Sequence, residues 1–181
     1  LDLTVWGTLT VSSNSTINVN GMGYLAGRMW PNTTTNASTG KTSGSYGGLG
    51  YTYTGYVTAN PVYGDFRNPN EPGSGGSSGS GGGLIRLVAN VLELNGAIRA
   101  NGTDGSYGRG SGGGIYLDVG RLAGGGVIEA KGGTCTYDGG GGGGGRIAIY
   151  YNDVEGFDIS NRVSAAAGAA GSAGTIYTKH Q

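Results

Sequence analysis

A unit of about 30 residues recurs along this 181-residue chain, and the repeat constrains the fold more than any other feature of the sequence. Ile85, Ile115, Ile147 and Ile176 begin successive apolar segments that are 30, 32 and 29 residues apart. Each segment follows a glycine-rich tract, and 43 residues of the chain are glycine. A unit of this length cannot bury its own apolar face, whereas units stacked on copies of themselves can.

Within each unit, apolar and polar residues alternate with a period of two, as Ile85, Arg86 and Leu87 do. This period is typical of strands that bury one face. Residues 83–89, 91–96 and 97–102 predict three strands per unit, followed by a glycine tract. The sequence therefore predicts an all-β fold, a Gly-rich parallel β-helix-like solenoid with about 30 residues per coil. The alternative is a Gly-rich antiparallel β-sandwich.

The glycine tracts are too costly to order without a regular set of hydrogen bonds, because each ordered glycine destabilises the fold by about 0.5–1 kcal/mol relative to alanine. Residues 73–83, 105–114, 139–145 and 168–174 hold one tract per unit. We predict that these tracts stack on one another as polyglycine segments resembling polyproline II. The alternative is a set of flexible surface linkers, as Gly/Ser-rich segments usually are.

The repeat predicts a single domain over residues 1–181 with one interruption. Residues 1–21 match the repeat and form the first coil, residues 22–83 are a long Gly/Tyr-rich insertion, and residues 84–181 hold the regular repeats. The first residues lack the charged and apolar regions of a signal peptide, so we expect a mature or excised segment.

Four strings carry a resemblance to a known kind of module: 81–87 (GGGLIRL), 139–151 (GGGGGGGRIAIYY), 173–177 (AGTIY), and the segment from Tyr63-Gly-Asp to Pro72-Gly-Ser-Gly-Gly. Together they resemble a Gly-rich β-solenoid module of large secreted or surface-anchored microbial proteins, adhesin-like or filament-forming. The resemblance extends over residues 1–177. It implies an extracellular or cell-surface location in an architectural or adhesive context, and it implies no catalytic residues.

Composition argues against several functional classes. Eleven basic residues balance eleven acidic ones, so we expect no nucleic-acid partner. No apolar run approaches the roughly 20 residues of a membrane-spanning helix. One histidine and one cysteine leave no His/Cys metal cluster, and the Asp104-Gly105 and Asp138-Gly139 pairs are interpreted as turns rather than calcium ligands. We therefore expect no metal and no cofactor.

Catalytic residues are also scarce. His180 has no nucleophile signature near it. Paired carboxylates would be needed for glycoside hydrolysis. The candidate carboxylates are Asp65, Glu71, Asp153, Glu155 and Asp158. Glutamate is scarce, and Glu93 and Glu129 occupy strand positions that are typical of solvated faces, so we predict that the protein is not an enzyme.

Aromatic residues are concentrated in the insertion, where they are candidates for a subunit interface or a glycan contact. The alternative is that they pack against the side of the fold as a small second core. These residues are Trp30, Tyr46, Tyr51, Tyr53, Tyr56 and Tyr63.

Two kinds of covalent modification are suggested by the sequence. Cys135 is the only cysteine, so it is either a candidate for an intermolecular disulfide or a buried free thiol. Asn14, Asn32, Asn36 and Asn101 each begin an Asn-x-Ser/Thr sequence and are candidate glycosylation sites.

Apolar strands at the two ends of the repeat region predict the function. Exposed strand edges recruit further strands unless charge, proline or a bulge blocks them. The candidate interface residues are Leu3, Val5, Leu9 and Val11 at one end and Ile176 and Tyr177 at the other. We predict an extracellular structural protein, a filament or sheath subunit whose partner is itself, joined head to tail by β-strand addition into an open homopolymer. The alternative is a cell-surface adhesin or carbohydrate-binding module that binds surface glycans through the Tyr-rich insertion.

Overall fold

A computed structural model of the chain describes residues 1–53, 55, 58–134 and 140–181. Within these residues the strands form two sheets. The larger sheet has the order β1 (Asp2–Val11), β3 (Leu84–Leu94), β5 (Gly114–Ala123), β7 (Arg146–Glu155) and β9 (Thr175–His180). The smaller sheet has the order β2 (Thr16–Asn18), β4 (Ala97–Arg99), β6 (Val127–Glu129) and β8 (Val163–Ser164). One short helix, α1 (Ile159–Arg162), precedes β8.

Neighbouring strands in both sheets are parallel. Equivalent strands are about 30 residues apart, which is long enough for the crossover that parallel pairing requires. The register follows the repeat, because Ile85 pairs with Ile115, Ile115 with Ile147, and Ile147 with Ile176. The spacing of these isoleucines therefore identified equivalent positions correctly.

The predicted fold class is wrong in both of its forms. An antiparallel sandwich is ruled out because the sheets contain only parallel pairs in the part of the chain described. The β-helix-like solenoid with three strands per coil is not what the structure shows either. Instead, two parallel sheets make an α/β-like arrangement with almost no helix.

The length of the first strand in each unit explains part of this correction. Leu84–Leu94 is one strand of eleven residues where the sequence predicted two. Ala89 and Leu92 are both buried although two residues lie between them, so the alternation of inward and outward side chains shifts at this point. The pairing of β3 with β5 nevertheless continues on both sides of the shift. The units that begin at Leu84 and Gly114 therefore each have one long strand and one three-residue strand, and the next unit has a long strand and the two-residue β8.

The apolar core lies between the two sheets. Leu87, Leu117 and Ile149 of the larger sheet are fully buried, as are Ile98 and Ile128 of the smaller sheet. The short turns after the long strands carry the chain from one sheet to the other. Because the strands are parallel and in register, side chains of the same type lie in rows across the sheet, and one repeated pattern fills the core.

Hydrogen bonds between glycine segments form a third layer beside the sheets. The N–H of Gly112 donates to the Gly143 carbonyl (2.9 Å), that of Gly113 to the Ala100 carbonyl (2.7 Å), and that of Gly114 to the Gly83 carbonyl (3.1 Å). Three successive donors thus reach three different neighbours. A side chain at these positions would collide with backbone atoms, which explains why the segments are glycine.

The insertion packs on the outside of this glycine layer. Gly44 donates to the Arg109 carbonyl (2.7 Å) and accepts from the N–H of Gly143 (2.9 Å). The amide of Asn60 is fully buried: its Nδ2 donates to the carbonyls of Ser45 and Pro61. Its Oδ1 accepts from the Ser45 N–H (2.8 Å) and lies 2.9 Å from two serine hydroxyls. Backbone and small polar groups therefore hold the insertion in place.

Candidate functional site: the two edges of the larger sheet

Strand β1 lies at one edge of the larger sheet and pairs on one side only, with β3. Its residues alternate between exposed and partly buried, and Leu3, Val5 and Leu9 pack against the core. Val11 is fully covered, whereas Leu1 is 55 % exposed. The equivalent side chains of inner strands, such as Leu87, have no exposed surface. The β1 edge therefore leaves one end of the core partly uncovered.

Strand β9 forms the opposite edge and pairs with β7. Ile176 continues the isoleucine row but is 47 % exposed, whereas Ile147 beside it is fully buried. Thr178 follows in the next inward position and is exposed. Both edges thus expose positions whose equivalents inside the sheet are core residues. The structure places the predicted interface residues at these two edges and does not bring the two groups together.

Tyr177 is held by an aromatic row on the outer face of the larger sheet. Ring centroids lie 5.5 Å apart for Tyr116 and Tyr150, 5.8 Å for Tyr150 and Tyr177, and 5.6 Å for Tyr177 and Phe66. The Arg86 guanidinium lies 4.2 Å from the Tyr116 centroid. These contacts fix the outer face of β9 up to its free edge.

The insertion tyrosines fall into two groups. Tyr46 and Tyr63 pack with their centroids 4.8 Å apart, and Tyr46 has no exposed surface. Burial raises the pKa of both phenols well above the ordinary value of 10.0, and the nearby Glu71 carboxylate adds to the effect. Trp30 stacks on Tyr63 at 6.5 Å. Tyr46 and Tyr63 form a small second core, so their rings are not available to a glycan, whereas the Trp30 ring at its edge is 48 % exposed.

Arg146 ties this second core to the larger sheet. Its guanidinium donates to the carbonyl of Tyr63 (2.8 Å), to the Thr175 hydroxyl (3.3 Å) and to the carbonyl of Tyr46 (3.4 Å). The side chain is buried, and it also lies 5.3 Å from the Tyr46 centroid. Removing it would leave the carbonyl of Tyr63 without this donor, whereas the carbonyl of Tyr46 would keep its hydrogen bond from the Tyr63 N–H (3.3 Å).

The second group of tyrosines lies at the surface. Tyr51 and Tyr53 make an edge-to-face pair at 6.3 Å, and the Lys41 ammonium lies 5.4 Å from the Tyr53 centroid and 4.4 Å from that of Tyr107. Tyr56 and Cys135 lie outside the described residues, so the structure has no bearing on the predictions made for them.

Three of the four candidate glycosylation asparagines are exposed. Asn14 lies in the turn between β1 and β2, and Asn32 and Asn36 adopt positive φ angles of 68° and 56°. Asn101 is partly buried, and its Oδ1 accepts from the N–H of Lys131 (2.8 Å). The first three are therefore more accessible than Asn101, and their modification stays a prediction.

The candidate carboxylates have local partners. Asp65 accepts from the N–H of Arg67 (2.8 Å), and Glu155 forms an ion pair with Arg121. Asp158 caps α1, and hydrogen bonds from Asn161 and Ser160 lower the pKa of Asp158. Asp153 pairs in register with Arg121, and Glu71 lies 3.4 Å from the Tyr46 hydroxyl. His180 lies at the β9 edge, edge-on to Tyr151 at 5.7 Å.

Glu129 is the best-paired carboxylate of the described chain. It accepts from Arg99 Nε at 2.8 Å and from Lys131 Nζ at 2.6 Å. Burial alone would raise the pKa of Glu129, but the hydrogen bonds from Lys131 and Arg99 outweigh it, so the pKa is lowered. The Arg99–Glu129 contact joins neighbouring strands of the smaller sheet, and the Lys131 contact is local to the end of β6.

Two features were missed by the reasoning from sequence. Trp6 is 85 % exposed on the outer side of β1, and a cavity of about 430 Å³ lies on the outer face of the larger sheet beside Glu93, Arg121 and Glu155. The exposure of Trp6 could have been predicted from the sequence, because the alternation along the strand places its side chain on the same outer face as those of Asp2 and Thr4. The cavity depends on side chains from three strands and has no sequence signal.

Among the described residues, no cluster of histidine, cysteine and acidic side chains is suited to hold a metal ion. None of the helices in this part of the chain is long and apolar enough to cross a membrane. No protein-family model matches the chain, and comparisons with curated proteins and with solved structures find no match either. The argument for function therefore rests on the geometry of the two edges.

Proposed function

We propose that this chain is an extracellular structural subunit that joins head to tail with copies of itself, by pairing β9 of one copy with β1 of the next. The observation that supports this proposal is the partly uncovered core at both edges of the larger sheet. Covering the remaining exposed area of a side chain such as Leu1 or Ile176 would stabilise the junction by about 1 kcal/mol each. A contact between two different edges gives an open filament.

The register of the sheet indicates how the copies would meet. The row Asp2, Arg86, Tyr116, Ala148 and Tyr177 runs across all five strands. Continuing that row places Asp2 of the next copy beside Tyr177. In the same register Leu1 comes beside Ile176.

The same register also brings opposite charges near each other. Lys179 is exposed on the same outer face as Tyr177, two residues along β9. Asp2 of the next copy would lie diagonally opposite Lys179, within reach of its long side chain.

The smaller sheet has four strands, so this junction leaves one strand position of that sheet open. The larger sheet alone carries the proposed contact.

The alternative function, glycan binding through the insertion, has less support. Two of its candidate aromatic residues, Tyr46 and Tyr63, are in the second core. Tyr51 and Tyr53 remain at the surface and provide a direct test, because the alternative requires that their substitution abolish binding.

The test of assembly is the mass of the purified chain by light scattering at rising concentration, together with negative-stain microscopy. We expect filaments from the unaltered chain. Leu3→Lys and Ile176→Lys each place a charge at a junction position, and both should abolish filaments. Thr8→Lys is the matched control, because its side chain points to the outer face of the same strand, beyond the positions that β9 would pair with in this register, and it should leave filaments intact.

Thermal unfolding of each variant establishes that the monomer still folds, and Ile176→Lys is the safer variant because that side chain is already half-exposed. A chain that stays monomeric at every concentration would overturn the proposal. So would filaments that form equally well from folded Leu3→Lys and Ile176→Lys. If the exposed edges instead pair with a different segment in a longer chain, the isolated chain will stay monomeric.

A further inference from the structure

The outer face of the larger sheet carries an exposed tryptophan in a polar setting. Trp6 lies at a register shift in β1, between the pairs Val5–Ala89 and Thr8–Val91, so that it is opposite Asn90. Asn90 Nδ2 donates to the Trp6 carbonyl (3.2 Å). Its neighbours on this face include Thr4, Thr8 and Asn90, together with Val88, which pairs with Thr4 and is 36 % exposed. A large apolar ring exposed among polar groups offers one stacking surface and many hydrogen-bonding groups.

The cavity lies farther along the same face. It has a volume of about 430 Å³, and its lining consists of Glu93, Asn95, Arg121, Ala123, Gly124, Glu155 and Gly156. Thr10 joins Glu93 to the edge strand, with its hydroxyl 3.3 Å from Glu93 Oε2. Trp6 is opposite Asn90, three residues before Glu93, which corresponds to about 10 Å along the strand. The ring and the cavity are therefore close enough to contact one short chain-like ligand.

The charges in the cavity disfavour an anionic ligand. Arg121 is paired with Glu155, and Glu93 is close to a hydroxyl. One guanidinium and two carboxylates leave the lining slightly negative, which disfavours sulfated or uronic-acid polymers. The Asn95 Oδ1 accepts from the Gly125 N–H (3.3 Å). The carboxylate and amide groups leave several donors and acceptors for hydroxyl groups.

We propose that Trp6 and the cavity at Glu93, Arg121 and Glu155 form a binding site for a neutral oligosaccharide. A β-1,4-linked pyranose chain presents flat apolar ring faces, one of which stacks on the Trp6 indole, and hydroxyl groups, which bond to Glu93 and Arg121. A protein partner would need a continuous apolar patch, whereas the outer face here offers the Trp6 ring and the partly exposed Val88 among polar Thr4, Thr8 and Asn90. The Trp6 side chain lies on the outer face of β1, whereas assembly would use the backbone edge of this strand and its core-facing side chains.

Calorimetry and quenching of tryptophan emission test this site on the full chain. The probes are cellohexaose, xylohexaose and mannohexaose, with a heparin hexasaccharide as the polyanion. We expect at least one neutral probe to bind, with affinity reduced 10-fold or more in Trp6→Ala and several-fold in Glu93→Gln. Tyr53→Ala is the matched control, because it removes an exposed aromatic ring of the insertion and should leave affinity unchanged.

Several results would overturn this inference. They are the absence of binding to every neutral probe at millimolar concentration, binding of heparin alone, and unchanged affinity in a folded Trp6→Ala variant. Loss of affinity in Tyr53→Ala with none in Trp6→Ala would assign the site to the insertion instead. Because Ile176→Lys should affect assembly and not glycan affinity, the two proposals can fail separately.

Discussion

Gly112→Ala is the sharpest test of the hydrogen-bonded glycine layer. A methyl group at Gly112 would lie 2.6 Å from the Gly145 nitrogen and still closer to the Ala130 carbonyl oxygen. Those two atoms are joined by a hydrogen bond of 2.8 Å. The methyl group would therefore force this buried bond apart. Overpacking costs about 1–3 kcal/mol, and a buried pair left unsatisfied costs about 1–3 kcal/mol.

We therefore expect Gly112→Ala to lower the free energy of unfolding by about 3 kcal/mol or more. For a chain of this size, that corresponds to a fall in the melting temperature of roughly 6–12 °C. Urea unfolding followed by circular dichroism measures the first quantity, and calorimetry measures the second.

Gly125→Ala is the matched control for this measurement. No atom lies within 4 Å of a methyl group built at Gly125. We expect its effect on the free energy of unfolding to stay within about 0.5 kcal/mol. Equal effects of the two substitutions would refute the reasoning, because they would mean that the glycine segments do not pack as described.

Three further predictions concern polar and titratable groups. Asn60→Ala should lower the free energy of unfolding, measured by urea titration, by about 3 kcal/mol, because it leaves several buried polar groups without partners. An effect below about 0.5 kcal/mol, which is the range of an ordinary surface substitution, would contradict this prediction. In the folded chain the pKa of Glu129 is lowered from its ordinary value of 4.5. The ion pairs of Glu129 therefore stabilise the fold above pH 4.5, and this stabilisation is lost as the pH falls through the pKa that Glu129 has in the folded chain. Glu129→Gln should therefore show a shallower loss of stability on acidification than the unaltered chain, and parallel curves would count against this pairing. Because the pKa of Tyr46 and of Tyr63 is raised by burial, their stabilising effect is lost at alkaline pH. Ultraviolet titration should show two tyrosines that ionise only as the chain unfolds, and a folded chain in which every tyrosine titrates with a midpoint near the ordinary 10.0 would exclude their burial.

The sequence carried enough information to predict which residues pair across strands. The isoleucine spacing gave the register of Ile115 with Ile147, because one pattern repeated in phase can be buried only in stacked rows. It did not give the fold class. The shift of alternation at Asn90 was interpreted as a strand boundary, yet backbone pairing continues through it.

The packing of the insertion and the outer-face cavity could not be predicted from sequence patterns. Contacts between Tyr46 and Tyr63, or between Arg146 and the carbonyl of Tyr63, join positions that share no period. The cavity needs Glu93 and Arg121 from different strands. Trp6 is different, because the alternation of residues along β1 predicts that its side chain lies on the outer face. Only its significance as a contact for a ligand was overlooked.

The axial repeat of the assembled protein tests the central claim most directly. If β9 of one copy pairs with β1 of the next, each copy adds five strands to a continuous sheet. At about 4.8 Å per strand, this gives an axial repeat of roughly 24 Å. Electron microscopy of the purified chain should show filaments with that repeat in their power spectrum. Particles that remain single copies, or filaments with a repeat unrelated to five strand spacings, would contradict the account.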